Sequence, residues 1–116
     1  IIDDVLDYVG TEESIGKPAG NDLRQGLVTL PLIYALQQQQ NGHTERVGQA
    51  LGAETIPDDE VRDIVAWVAA SPAIEEAMEL ARQYSSRARA LLLEFPSSPE
   101  RDVLEQLVDF VVDRSR

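Results

Sequence analysis

The sequence contains no cysteine at any of its 116 positions. This absence excludes disulfide bonds, thiolate metal sites and cysteine nucleophiles, and it is compatible with a reducing compartment, so we expect a cytoplasmic protein. Aromatic residues make up only 5% of the chain, so aliphatic side chains must supply most of the core. The single histidine, His43, lies beside Gly42 in a predicted turn and is expected at the surface. No serine has a histidine close in sequence, so a hydrolase triad is not supported.

Long apolar runs and clustered basic residues are also missing. No run approaches the roughly 18 apolar residues of a membrane span, so we do not expect an integral membrane protein. The sequence contains 10 Lys and Arg and 21 Asp and Glu, which gives a net charge of −11. Nucleic acid is therefore not an expected partner, and an anionic substrate requires an intervening cation. The chain starts within a helical pattern without an initiator methionine or a signal peptide, so we interpret it as truncated at its N-terminus.

Apolar residues recur at intervals of three and four along the chain, whereas no segment shows sustained two-residue alternation. The first pattern is typical of amphipathic helices, and the second would indicate β-strands. A length of 116 residues leaves room for one domain. We therefore predict a single all-α unit over residues 1–116, without repeats or an internal linker.

Proline and capping residues indicate where the helices begin. Starts are expected near Thr29, Asp58, Pro72 and Pro99, with Thr29 and either Asp58 or Asp59 as N-caps and a serine before each of the last two prolines. Glycines and loop residues set the remaining boundaries: a helix over 1–9 ending at Gly10, a loop over 10–22, and a short helix over 44–51 ending at Gly52.

The apolar stripes of these helices are expected to face one shared core. The stripes of the last two helices comprise Ile74, Ala77, Met78, Ala81, Tyr84, Ala88, Leu91 and Leu92, and then Val103, Leu104, Leu107, Val108 and Val111.

Three aspartates lie within one predicted helical turn near the N-terminus. Asp3 and Asp7 are i, i+4 neighbours, and Asp4 and Asp7 are i, i+3 neighbours, so like charges repel by roughly 0.2–0.5 kcal/mol per pair. A hard divalent cation would compensate that repulsion, because Mg²⁺ prefers oxygen ligands and shares its shell with water and phosphates. The acid spacing alone favours a solvated helix face over such a metal site.

A specific string follows the aspartates. It reads Tyr8-Val9-Gly10, then Gly16-Lys17-Pro18, then Gly20-Asn21-Asp22-Leu23, and finally Thr29-Leu30-Pro31. This stretch resembles the second aspartate-rich region of trans-polyprenyl diphosphate synthases, which has D-D-x-L-D-Y, a short acidic loop, G-K-P-x-G-x-D-L and T-L-P at these offsets. The resemblance extends more loosely through Tyr84, Ala88 and Phe95-Pro96 to the end of the chain.

The resemblance implies the C-terminal helices of an isoprenoid-synthase-type bundle and a prenyltransferase reaction. Such enzymes join an allylic diphosphate to isopentenyl diphosphate, with Mg²⁺ ions held on the allylic diphosphate between two aspartate-rich motifs. The match places Asp3, Asp4 and Asp7 as the catalytic, metal-binding residues of the second motif. Asp3 is expected to bind Mg²⁺ directly, and Asp4 and Asp7 partly through water. Lys17 matches the lysine that contacts the allylic diphosphate.

The departures from the family pattern limit what this chain can do alone. The first aspartate-rich motif is absent, and Leu27 stands where many members have a second lysine. We therefore expect a C-terminal fragment that is inactive by itself and a homodimer for the complete enzyme. Two alternatives are a non-catalytic helical subunit or interaction module of the same fold, and an unrelated acidic domain that binds cations loosely. The string from Gly16 to Pro31 argues against the last.

Overall fold

A computed structural model describes residues 1–10, 19–38 and 42–113, and in these ranges all regular structure is helical. In chain order the helices are α1 (Ile2–Val9), α2 (Asn21–Arg24), α3 (Leu30–Gln38), α4 (His43–Gly52), α5 (Asp58–Ala69), α6 (Ala73–Leu92) and α7 (Pro99–Asp113). The prediction of an all-α chain is confirmed. Within the described ranges, no helix combines the length and apolarity needed to cross a membrane.

The four predicted starts agree with the structure to within one residue. Thr29 directly precedes α3, and its carbonyl accepts the Ile33 N–H at 3.1 Å. The Ser98 hydroxyl accepts the Arg101 N–H at 3.1 Å, as expected of an N-cap. The aspartate cap predicted for α5 is wrong, because Pro57 occupies the N-cap position and Asp58 is the first helical residue. Its carboxylate lies in the first turn, where the helix dipole favours negative charge.

Helix α2 was missed because the pattern favoured a loop over residues 10–22. Gly10 does end α1, in an extended conformation, but Asn21 begins a four-residue helix. Four residues are too few to show a helical period in the sequence. Gly20 makes the start possible, since its φ of +82° lies in the left-handed region that glycine adopts without steric cost.

The core lies between α1, α3, α4, α5 and the first half of α6. It is built almost entirely from aliphatic side chains, as the low aromatic content indicates. The buried apolar residues are Ile2, Val5, Tyr8, Leu23, Leu32, Ala35, Val47, Ala50, Ile56, Val61, Ile64, Val68, Ala73, Ala77 and Ala81.

The shared core predicted for all stripes does not extend to the end of the chain. Helix α7 has no buried residue, and the apolar residues of α6 beyond Ala81 are half-buried or exposed. The described chain is elongated, measuring 53 × 29 × 22 Å with a radius of gyration of 16.9 Å. A compact domain of this size has a radius of gyration of roughly 13 Å. The α6 stripe packs in the core as far as Ala81, whereas its remaining residues and the α7 stripe are half-buried or exposed in the described chain.

Gly20 also fixes how closely α2 approaches α5. A Cβ atom at Gly20 would lie 2.7 Å from Val65 Cγ2 and 2.8 Å from Val61 Cγ1. Real Cβ atoms do not tolerate such distances, so only glycine fits without a shift of α5. The turn at Gly20 is thus constrained both by its backbone conformation and by the packing of two valines.

Gly20→Ala should destabilise the chain by about 2–5 kcal/mol, because left-handed strain of about 1–2 kcal/mol adds to overpacking of about 1–3 kcal/mol. Gly26→Ala is the matched control, since Gly26 has a φ of +75° but no atom near its missing Cβ. It should lose only the strain of about 1–2 kcal/mol. Urea unfolding followed by circular dichroism measures both. Equal losses would contradict the packing argument.

Candidate functional site

The three aspartates of α1 lie at different depths. Asp3 is exposed, Asp4 is half-buried, and Asp7 has no exposed surface. Asp3 and Asp4 occupy the first turn of α1, where the helix dipole stabilises negative charge. Although Asp3 and Asp7 are i, i+4 neighbours, only Asp3 is open to solvent. Helical spacing places residues on one side of a helix, but the elements packed against that side determine how far each residue is exposed to solvent.

Asp7 is hydrogen-bonded to the start of α2. Its Oδ1 accepts the Asn21 N–H at 3.2 Å, its Oδ2 accepts the Asp22 N–H at 2.9 Å, and its main-chain oxygen accepts the Gly20 N–H at 2.8 Å. The first N–H groups of a helix have no hydrogen-bond acceptor within that helix. Asp7 of α1 supplies the acceptor for α2. Hydrogen bonds to a carboxylate are roughly twice as strong as neutral ones. Asp7 therefore ties the Gly20-Asn21-Asp22 segment to α1.

The segment around α2 is held by a second set of contacts. Arg24 donates from its guanidinium to the Ala19 carbonyl at 2.7 Å, and its Nε lies 3.6 Å from Asp58 Oδ1. Arg24 thus joins the residue before Gly20 to the first turn of α5. Leu27, for which the resemblance implies a lysine in many family members, is exposed. Lys17 lies outside the described residues, so its predicted contact with diphosphate stays a prediction.

Tyr8 was not identified from the sequence, although it directly follows Asp7. Its ring is buried, and neither its hydroxyl nor the nearby buried Thr29 hydroxyl makes a hydrogen bond in the described part of the chain. Burial raises the pKa of Tyr8 well above its usual value, and the charges of Asp7 and Asp22 raise it further. The Thr29 hydroxyl acts in the opposite direction and lowers the pKa of Tyr8, but burial outweighs it. Tyr8 stays protonated beside the aspartates.

The aspartates provide only part of a metal coordination sphere. In the ranges 1–10, 19–38 and 42–113, no three carboxylate or imidazole side chains are grouped to hold a metal ion. Asp3 and Asp4 lie nearer the surface, with Asp4 Oδ2 3.9 Å from the α-ammonium of Ile1, and both Asp7 oxygens accept backbone N–H groups. This donor set fits Mg²⁺, which usually binds one or two carboxylates and keeps waters and substrate phosphates as its other ligands.

His43 lies elsewhere and is not at the open surface as expected. It is half-buried, and its ring stacks on Trp67 with 4.2 Å between centroids and 8° between the planes. On the same pair of helices, Arg46 bonds to Glu60 at 2.6 Å and to Asp63 at 2.8 Å. These contacts join α4 to α5, so the described chain uses its only histidine in packing.

Comparisons with known proteins cover the same residues. The sequence profile of the family described as Polyprenyl synthetase matches residues 1–68, which include all three aspartates and the string up to Pro31. Heptaprenyl diphosphate synthase component 2 of Geobacillus stearothermophilus is 40% identical over 98% of this chain and 34% of its own length. Nonaprenyl diphosphate synthase of Mycobacterium tuberculosis is 35% identical over 98% of this chain and 34% of its own length. The chain spans about a third of these relatives.

Two solved structures share the fold. The heptaprenyl diphosphate synthase of Staphylococcus aureus superposes with a TM-score of 0.87 at 29% identity, covering 99% of this chain and 35% of that one. The polyprenyl synthase of Caulobacter crescentus, solved with calcium and isoprenyl diphosphate, gives a TM-score of 0.86 at 36% identity over 98% of this chain and 35% of that one. The arrangement of helices in this chain is thus also found in proteins about three times as long.

Tyr8→Phe should leave stability at pH 7 unchanged or raise it by up to about 1 kcal/mol, because the lost hydroxyl makes no hydrogen bond to the residues that the structure describes. Above about pH 10 the unfolded state loses the Tyr8 proton that the folded state keeps, so stability falls by about 1.4 kcal/mol per pH unit. The variant should lack this part of the alkaline loss. Urea unfolding at neutral and alkaline pH tests this, and identical pH dependence in both proteins would contradict it.

Proposed function

The chain belongs to the polyprenyl synthetase family, and on that premise we propose that it supplies the second metal-binding half of a prenyltransferase site. The reaction is the condensation of isopentenyl diphosphate with an allylic diphosphate. The observation that carries the proposal is the different burial of the three aspartates of α1. Asp3 and Asp4 lie near the surface, whereas Asp7 is buried against the start of α2. A solvated helix face does not explain a carboxylate that is buried to hold a neighbouring turn.

The residues of this chain have distinct proposed roles. Asp3 and Asp4 would hold the Mg²⁺ ion, Asp3 directly and Asp4 partly through water. When bound, the metal supplies positive charge that stabilises the departing diphosphate. Asp7, predicted with them as a metal ligand, is proposed to act mainly by positioning the segment that follows α1. Lys17 belongs to that segment and is proposed to contact the allylic diphosphate.

The complex of the Caulobacter relative supports the choice of ligands. That protein was solved with a divalent cation and an isoprenyl diphosphate. An acidic chain such as this one, with a net charge of −11, repels diphosphate unless a cation lies between them. We therefore propose that cation and diphosphate bind cooperatively here, each providing part of the other's site.

The complete enzyme requires more than this chain. The chain spans about a third of its relatives, so the first aspartate-rich motif, the isopentenyl diphosphate site and a homodimer interface are proposed to lie in the remainder. By itself the chain should be inactive. A second candidate is a helical subunit that works beside a catalytic partner. It is favoured by one observation, that the Geobacillus relative is named component 2 of its enzyme.

The test uses an extended chain, in which the Geobacillus relative up to the start of the match is joined to Ile1. Inorganic diphosphate should raise its Mg²⁺ affinity, and Asp3→Asn should lower the affinity in diphosphate by about tenfold or more. Asp59→Asn is the control, because Asp59 is an exposed aspartate that also lies in the first turn of a helix, α5. Calorimetric titration measures both, and turnover should fall by orders of magnitude only with Asp3→Asn.

Two results would contradict this proposal. Mg²⁺ affinity that depends on neither diphosphate nor Asp3 would make these aspartates a solvated helix face. Mg²⁺-dependent turnover by the 116-residue chain alone would show that the missing half of the site is not needed.

A further inference from the structure

The guanidinium of Arg24 covers the turn at Gly20. Its Nη1 donates to the Ala19 carbonyl at 2.7 Å and lies 3.7 Å from where a Cβ atom would stand on Gly20. Its Nε lies 3.6 Å from Asp58 Oδ1, and 32% of the Arg24 side chain is exposed. The main chain of Arg24 is anchored to the same turn, because its N–H donates to the Gly20 carbonyl at 3.0 Å. Arg24 is therefore held at both ends against the residues that precede it.

Arg24 extends the anchoring that Asp7 begins. The oxygens of Asp7 accept the N–H groups of residues 20–22, which lie at the turn and after it. The Ala19 carbonyl precedes the turn, and Arg24 holds it there by a hydrogen bond from a charged donor. Asp58, in the first turn of α5, lies beside the guanidinium and helps to orient it. The contacts of Arg24 thus fix one more residue, on the side of the turn that leads back along the chain.

A fixed Ala19 restricts the backbone that leads into it. Lys17 lies outside the described residues, but it comes two residues before Ala19, so covalent geometry keeps their Cα atoms within about 7 Å of each other. The residue between them is Pro18, and a proline ring fixes φ at about −65° and disfavours the helical region for the residue before it. Little backbone freedom therefore separates the lysine from the carbonyl that Arg24 holds.

Two other roles for Arg24 fit its contacts less well. A direct contact with diphosphate needs guanidinium donors that point to the ligand, whereas two of the three nitrogens face a carbonyl and a carboxylate of this chain. A purely stabilising ion pair is a weak explanation, because Asp58 is 74% exposed and exposed pairs contribute little to stability. The hydrogen bond to Ala19 is the contact that distinguishes Arg24 from an ordinary surface arginine.

We propose that Arg24 is a positioning residue of the diphosphate site, which holds the Ala19 carbonyl and thereby fixes the backbone from which Lys17 extends. A cation on a fixed backbone binds diphosphate more tightly than one on a freely moving segment, because less conformational freedom is lost on binding. The inference rests on the proposed function, since the ligand is the diphosphate proposed there. It does not depend on Asp3, so the two proposals can fail separately.

A double-mutant cycle in the extended chain tests this role. In calorimetric titrations with inorganic diphosphate at a fixed excess of Mg²⁺, Lys17→Ala should lower the affinity, and Arg24→Gln should lower it by about threefold to tenfold. In the Lys17→Ala background, Arg24→Gln should lower it by less than about twofold more, because no lysine is left to position. Arg24→Lys should recover part of the loss, since an ammonium group still donates to the Ala19 carbonyl.

Arg62→Gln is the matched control, because it removes the same charge from an exposed position on α5 and should leave the diphosphate affinity unchanged. The proposal is overturned if the losses from Lys17→Ala and Arg24→Gln add in full, if Arg62→Gln causes an equal loss, or if Lys17→Ala has no effect. Circular dichroism shows whether each variant is folded. Should Arg24→Gln unfold, Asp58→Asn takes its place in the cycle, with a smaller expected loss that also fails to add to that of Lys17→Ala.

The same titrations separate this proposal from the proposed function. Mg²⁺ affinity that does not depend on Asp3, together with the expected cycle, contradicts only the metal site. Full additivity in the cycle, together with Asp3-dependent Mg²⁺ binding, contradicts only the positioning role of Arg24. An extended chain that binds no diphosphate in the presence of Mg²⁺ contradicts both.

Discussion

A buried carboxylate organises the part of the chain that carries the proposed site. Moving an ionised group out of water costs several kcal/mol unless hydrogen bonds compensate the charge. Asp7 meets this condition with two backbone N–H groups from the start of α2, and its main-chain oxygen accepts a third from Gly20. These hydrogen bonds can form only if α2 begins beside α1. The buried charge of Asp7 therefore determines where the segment after α1 packs.

Other features of the site follow from this constraint. For α2 to begin there, the chain must turn at a residue that adopts a positive φ and leaves room for two valines of α5, and Gly20 does both. Tyr8 becomes buried next to the charged group and keeps its proton. Asp3 and Asp4, one turn earlier, stay near the surface. The aspartates of α1 and the turn at Gly20 therefore depend on each other. Asp7 is buried and fixes the turn, and Asp3 and Asp4 lie near the surface one turn earlier.

The sequence predicted the helices better than it predicted burial. Starts near Thr29, Asp58, Pro72 and Pro99 depend on local capping and proline geometry, which neighbouring residues determine. The depth of Asp7 depends on a contact with Asn21 and Asp22, fourteen and fifteen residues away, which helical spacing does not contain. The α6 and α7 stripes were identified from their period, but a period does not say whether a partner helix is present. The resemblance to a known family pointed to the metal-binding motif, and the structure assigned different depths to its members.

Amide hydrogen exchange tests the central role of Asp7 most directly. Asp7→Ala removes the acceptor of the Asn21 and Asp22 amides, so exchange at these two sites should accelerate by about tenfold to a hundredfold, as expected for a loss of about 1–3 kcal/mol. The Val68 amide in α5 should keep its rate, and Asp3→Ala should change none of the three. If the Asn21 and Asp22 amides exchange equally slowly in the wild type and in Asp7→Ala, Asp7 does not hold α2, and the site is not organised around this carboxylate.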